Sequence, residues 1–287
     1  MTAALFAPSF VIHGPAAPRV PLVLDSPHSG FAFPADFGSR LEEFDLREGE
    51  DCFVDQLYLP ATERGVALIA ALAPRTYIDL NRHAADIDLA LVEGGRWPGK
   101  HVPSGKALIW RTLDDGREIY DRKLSVDEVQ RRIEVYHQPY HGAVRDRIEA
   151  THGRFGRSWH INCHSMNAIA GAQGEGGAGR ARADFVVGDR DGTTCDPAFT
   201  EFVRAFLANF GYDVRVNDPY KGVELVRAYS NPAEGRMSLQ LEINKRLYMD
   251  ETTRTKSAGF EPLQRQLATL VDAVLEYAAG ELAATRR

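Results

Sequence analysis

The feature that most constrains this chain is an alternation: short apolar runs bounded by glycine or proline take turns with longer segments of helical period. The runs near 20–26, 66–72, 76–80, 157–163, 184–188, 212–216 and 238–243 read as strands, and the stretches near 50–64, 125–150, 197–210 and 260–284 as helices. Runs such as Pro-Leu-Val-Leu at 21–24 and Trp-His-Ile-Asn-Cys at 159–163 read as buried strands, so the order predicts a layered α/β sheet. Two helix starts are also signalled. Ser125-Val-Asp-Glu128 has the capping-box pattern, and Asp196-Pro197 places an N-cap residue before a first-turn proline.

Composition narrows the class. With 287 residues, 44% hydrophobic and 26% charged, a sizeable core is feasible and the balance is that of a soluble enzyme. A net charge of -6 without any Lys/Arg block argues against a nucleic-acid partner. Cys52, Cys163 and Cys195 are odd in number and far apart, which fits neither a disulfide framework nor a cysteine zinc knuckle and points to a cytoplasmic setting. The start of the sequence has no basic n-region, and no apolar stretch approaches the ~18 residues of a membrane span.

Where ligands bind in open α/β sheets is at strand ends, and two histidines, each followed by serine, fall there: His28 in Ser26-Pro-His-Ser-Gly30 and His164 in Asn162-Cys-His-Ser-Met166. Neutral imidazole is the commonest metal donor, and a catalytic zinc takes three protein ligands plus water, so a carboxylate is needed beside them. Glu50, Asp51 and Asp55 cluster at the start of the helix expected at 50–64, where Asp51 and Asp55 would share a face; complementing the helix dipole is the plainer role for such acids. The strand expected at 76–80 ends in Asn81-Arg82, an amide and a guanidinium suited to clamping a carboxylate, or a simple surface ion pair. In Met237-Ser-Leu-Gln-Leu-Glu-Ile-Asn244, alternation points Glu242 away from Leu239 and Leu241. It either meets a partner such as Arg246 or serves as a general base near a metal-bound water.

Tyr220, Lys221 and Arg227 sit at a turn and could gather a second acidic group or simply be solvated. The glycine-rich stretch 171–180 reads as a mobile flap beside the site. His137 and His141 do not form a zincin pair, because the glutamate of H-E-x-x-H is missing and Pro139 would disturb the helix presenting both rings. Structural or substrate-shaping roles suit them better.

Taken together, Ser26 to Gly30, Glu50 to Asp55, Arg75 through Arg82, Asn162 to Met166, Tyr220-Lys-Gly222 and Leu241-Glu-Ile-Asn244 resemble the N-formylglutamate amidohydrolase family over residues 20 to 275. That resemblance implies a single catalytic domain over 1–287, a three-layer α/β/α sandwich with a mixed central sheet, similar to the zinc carboxypeptidases. It implies Zn²⁺, or another divalent metal ion, held by His28, His164 and Asp51, with Glu50 the alternative third ligand because position 31 is Phe rather than the glutamate of a short His-x-x-Glu motif. Glu242 would be the general base, Asn81 and Arg82 the clamp for the substrate carboxylate, and Arg75 an aid to the oxyanion.

The implied reaction is hydrolysis of N-formyl-L-glutamate to formate and L-glutamate, as in histidine degradation, with a small acidic N-acyl amino acid as partner and neither nucleic acid nor membrane. Two further readings stay open: a zinc hydrolase of another N-acyl amino acid or short peptide, and a non-catalytic protein that binds acidic amino acids. A serine hydrolase built on Ser29 or Ser165 is disfavoured, since no G-x-S-x-G elbow exists.

Overall fold

The computed structural model describes residues 8–172 and 177–285. Its centre is a seven-stranded sheet of β1 (Phe10–His13), β2 (Leu22–Ser26), β3 (Ala67–Ala71), β4 (Ser158–Met166), β5 (Phe185–Gly188), β6 (Val214–Val216) and β7 (Arg236–Asn244). The spatial order is β1-β3-β2-β4-β7-β5-β6. The four inner strands β3, β2, β4 and β7 are parallel, β1 is antiparallel to β3, and β5 and β6 run against β7. The sheet is therefore mixed, as expected from the resemblance.

Helices cover both faces. α1 (Val54–Tyr58), α4 (Pro197–Ala208) and α6 (Phe260–Thr285) pack with Leu22, Leu24, Trp159, Ile161, Leu239, Leu241 and Ile243 on one side. α2 (Val126–Arg132), α3 (Gln138–Phe155) and α5 (Glu224–Tyr229) cover the other, where Val23 and Ile69 meet Tyr140, Val144 and Leu225. The two expected caps form: Ser125 Oγ accepts from Glu128 N at 3.1 Å, and Asp196 Oδ1 from Ala198 N at 2.9 Å. All three cysteines are free and buried, and among the described residues no helix is long and apolar enough to cross a membrane.

Three expectations need correction. Residues 76–80 are not a strand; Tyr77 N bonds back to Pro74 O and Asp79 N to Leu108 O, so the β-prone Tyr-Ile pair is taken over by a turn. The helix expected at 50–64 begins only at Val54, after Phe53 with φ 64°, and continues as a 3₁₀ segment over Leu59–Arg64. Asp51 consequently lies in the preceding loop and shares no helix face with Asp55. Pro139 does not separate His137 from His141. It occupies the first turn of α3, where no N–H is needed, a π-turn at Ile133–His137 precedes it, and the two rings stack at 3.9 Å.

Candidate active site

The site grows from the pleat of β4 and β7. Parallel pairing in register puts His160 beside Ser238, Asn162 beside Gln240 and His164 beside Glu242, and side chains of paired residues leave the sheet on the same side. From His160 to His164 and from Ser238 to Glu242 this face is thus polar, although every one of these six side chains is buried. Burial obliges each to find a partner, which makes the face a connected network.

At its upper end three acceptor atoms converge. His28 follows β2, His164 ends the polar column of β4, and Asp51 arrives from the loop whose Asp51 N–H donates to His28 O at 2.9 Å. His28 Nδ1 and His164 Nδ1 are 3.1 Å apart, and Asp51 Oδ2 lies 3.4 Å from the first and 3.0 Å from the second. Two donors bound at 2.0–2.1 Å to a tetrahedral ion would be about 3.3 Å apart, so the triangle has the size of a metal-binding face. The far nitrogens make the same point. His28 Nε2 donates to Asp79 Oδ1 at 2.7 Å and His164 Nε2 to Asn162 Oδ1 at 2.6 Å, which in neutral imidazoles leaves each Nδ1 a bare lone pair. Two lone pairs and a carboxylate oxygen facing one another, buried, make a site suited to a cation.

Electrostatics supports this. Burial alone would raise the Asp51 carboxyl; with protons rather than an ion between them, the imidazoles of His164 and His28 donate to Asp51, outweigh that burial and hold it well below the usual carboxylate range, so the triangle favours positive charge at its centre. Asp79 is also buried, which favours its neutral form, yet Arg75 and His28 keep it well below that range. Glu50, the alternative ligand, is engaged by Arg47, with Nε to Oε2 at 2.5 Å. Ser165 Oγ reaches the second Asp51 oxygen at 3.3 Å, a supporting rather than nucleophilic position.

Glu242 behaves differently from the other buried acids. Among the described residues no arginine or lysine lies at salt-bridge distance from it, Arg246 being paired with Asp184 at 2.5 Å, and it accepts from Gln240 Nε2 at 2.7 Å. Burial first, and then the negative Asp51, push its pKa up to about 7 against the opposing pull of His164 and Arg75. A carboxyl so placed can both take and return a proton near neutrality.

The cleft above Asp51 is lined by Arg75, Arg82, Lys106, Trp110, Arg182, Tyr220 and Lys245 among others. Arg75 Nε bonds Asp79 Oδ2 at 2.8 Å and its guanidinium lies over Trp110, while Arg82 Nε is 3.7 Å from Asp79 and makes no hydrogen bond. Asn81 is not in the lining. Its amide is spent internally, on Gln240 Oε1 and Asn162 Oδ1 at 3.3 Å and from Leu225 N at 2.9 Å, so it braces the site rather than presenting itself to a ligand. Tyr220 lines the cleft, whereas Lys221 is exposed and paired with Asp191, and Arg227 is paired with Glu224 on α5. Neither of these two cations reaches the cleft. Of the glycine-rich stretch, residues 173–176 lie outside the described residues, and Gly171 borders the cleft.

Sequence reasoning missed Asp79, Asn162, Gln240 and Arg182. The first three belong to motifs singled out for their neighbours, and alternation along β4 and β7 was the signal that places Asn162 and Gln240 on the site face. His137 and His141 prove to be braces for the Arg82 loop: their Nε2 atoms donate to Arg82 O and Leu80 O, both at 2.8 Å.

Comparison with known proteins follows the same lines. The sequence model of the family described as N-formylglutamate amidohydrolase matches residues 20–249. The N-formylglutamate deformylase of Pseudomonas putida is 29% identical over 267 residues, 91% of this chain and 94% of that protein, and its counterpart from Pseudomonas aeruginosa is 29% identical over 81% and 84%. The crystal structure of N-formylglutamate amidohydrolase from Ralstonia eutropha JMP134 shares 45% identity, covers 96% of this chain and 100% of that one, and superposes with a TM-score of 0.88. Together with the His28, Asp51 and His164 cluster, these matches establish that the chain belongs to the N-formylglutamate amidohydrolase family and is a metal-dependent amidohydrolase.

Proposed function

We propose that this protein hydrolyses N-formyl-L-glutamate to formate and L-glutamate, with Zn²⁺ at His28, Asp51 and His164 and residues 1–287 as one catalytic unit built like a zinc carboxypeptidase. The observation that carries the reading is the convergence of three buried acceptor atoms beside a buried carboxyl, Glu242, under an arginine-lined cleft. When bound, the ion supplies Lewis-acid polarisation of the amide carbonyl and acidifies the attacking water. His28 and His164 are held as Nδ1 donors by Asp79 and Asn162, so the protein fixes both tautomers in advance.

Glu242 takes one proton from the attacking water as its oxygen bonds the formyl carbon, and passes that proton to the departing nitrogen as the C–N bond breaks. The Arg75 guanidinium, fixed by Asp79 and Trp110, lies where it can stabilise negative charge on the carbonyl oxygen. Arg82 keeps a buried Nε free for a substrate carboxylate. Such a cleft gathers cations in a protein of net charge -6, which suits a dianionic ligand.

Formate release from N-formyl-L-glutamate, measured with and without chelator and alongside metal analysis, tests this directly. Chelation is expected to abolish release and restored Zn²⁺ to recover it; release that ignores the chelator sinks the mechanism. Glu242→Gln is expected to lose at least ~100-fold in kcat while keeping its metal. Equal turnover of N-acetyl-glutamate would move the assignment to a broader N-acyl hydrolase.

A further inference from the structure

The cations of the cleft are not equivalent. Arg75 is tied to Asp79, Lys106 to Asp114, and Lys245 donates to Asn167 Oδ1 at 2.9 Å. Arg182 differs from all of them. No carboxylate among the described residues lies at salt-bridge distance from it, and its Nε and Nη1 are buried without a hydrogen-bond partner among the described residues. A guanidinium with two idle, dry donors is costly unless something with matching acceptors arrives.

The residue is also fixed in place. Its guanidinium lies 4.7 Å from the centroid of the Tyr220 ring, its backbone N–H donates to Ala168 O at 3.0 Å, and Asn244 Nδ2 binds the carbonyls of Arg182 and Ala183 at 3.3 and 2.9 Å. Asn244 stands two residues beyond Glu242 on the same face of β7, so one rigid strand carries the proposed base and the anchor of this arginine. The spacing between the reacting bond and an anion on Arg182 is thereby set by a strand rather than by a loop.

We propose that Arg182, stacked on Tyr220, receives the second carboxylate of the substrate, the one on its side chain, and so selects acidic N-formyl amino acids over neutral ones. This inference rests on the N-formylglutamate reading above. Arg82 and Arg182 then divide the two carboxylates between them: Arg82 reads the one common to all N-formyl amino acids and Arg182 the one that marks glutamate. The planar fork of Arg182 matches a carboxylate and leaves the neutral amide of glutamine, which offers one acceptor and two donors, mismatched.

The test compares N-formyl-L-glutamate with the near-isosteric N-formyl-L-glutamine. The wild-type protein is expected to prefer the glutamate compound by at least ~100-fold in kcat/KM, and Arg182→Met to lose that factor on it while staying within ~3-fold on the glutamine compound. Arg182→Lys, which keeps the charge without the fork, should fall between. Calorimetric binding of both compounds in the Glu242→Gln background, with and without Arg182→Met, reads the same discrimination without turnover. Formate release with a preference that survives Arg182→Met, or an equal loss on both compounds, overturns the role of Arg182 and leaves the N-formylglutamate reading standing. Discrimination in binding that Arg182→Met abolishes, in a protein that releases no formate, upholds the role and overturns the reading.

Discussion

The two faces of β4 and β7 are equally buried and chemically opposite. On one, Trp159, Ile161, Cys163, Leu239, Leu241 and Ile243 enter a continuous apolar core with α4 and α6. On the other, His160, Asn162, His164, Ser238, Gln240 and Glu242 form a hydrogen-bonded column that runs from Asp25 up to the metal-binding triangle. The apolar face draws its worth from area removed from water and tolerates sideways adjustment. The polar face has little to gain from burial and much to lose from a misplaced atom, so its value lies in fixing positions and tautomers. The pleat lets one strand do both.

That contrast can be broken from either side. The largest effect is expected from His164→Ala, which removes one of three converging acceptors: metal binding and formate release should both disappear. The metal-free protein should lose only ~1–3 kcal/mol, the cost of leaving the buried Asn162 Oδ1 and Asp51 Oδ2 without their imidazole partner. Metal analysis and urea unfolding of the chelated protein check this, and a large loss of stability would mean that the polar face holds up the fold after all. Leu241→Ala should do the reverse, costing about 2–5 kcal/mol of unfolding free energy while the metal content and kcat of the folded fraction stay unchanged.

Asn162→Ala probes the step below the ligands. Asp25, buried yet held below the usual carboxylate range by His160, Asn162 and Tyr140, takes the Asn162 amide and so points Asn162 Oδ1 at His164. Its removal frees the His164 ring to flip and should weaken metal affinity by ~10–100-fold, read by competition with a chromogenic chelator. Unchanged affinity would show that Asp51, Asn81 and packing suffice to orient the imidazole.

The same two faces explain how much the sequence disclosed. Short apolar runs disclosed the strands at 157–163 and 238–243, and alternation along the second gave the direction of Glu242, because period two is local information. The meeting of His28 with His164 was legible as two strand ends with one chemistry. Asp79 was not, since the apolar Tyr77-Ile-Asp79 run looks like a strand and only the packing of the turn beneath His28 gives the carboxylate its task. Arg182, ahead of a strand and next to a glycine-rich stretch, carried no periodic or motif signal; its meaning comes from Tyr220 and Asn244, far away in sequence. Lys221 and Arg227 had the right charge in the right region, but nearby acids claim them.

The smallest expected effect lies where the polar column reaches outward, at the histidine pair that braces Arg82. His141 donates Nε2–H to Leu80 O and accepts at Nδ1 from Tyr229 OH, both at 2.8 Å, so protonation would force the second bond to reverse, with the buried imidazolium donating to Tyr229 OH. Burial first, then the neighbouring His137, push its pKa from the ordinary ~6.5 down to about 3, against the pull of Asp25. A base with a depressed folded pKa stabilises the fold fully above its unfolded pKa, and that contribution is lost as pH falls from ~6.5 towards about 3, because the unfolded chain binds the proton first. The buried carboxylates Asp25, Asp51 and Asp79, all held low, begin to add their own loss only below roughly pH 4. His141→Gln, which keeps a donor but cannot titrate, should therefore remove the loss of stability that His141 causes between pH 6.5 and about 4, exposing the opposite trend of Glu242, whose pKa is pushed up to about 7, and leave the steeper acid limb untouched. Urea unfolding at several pH values measures the slope directly. An unaltered slope in the variant would assign that window to His137 instead, whose pKa burial also lowers.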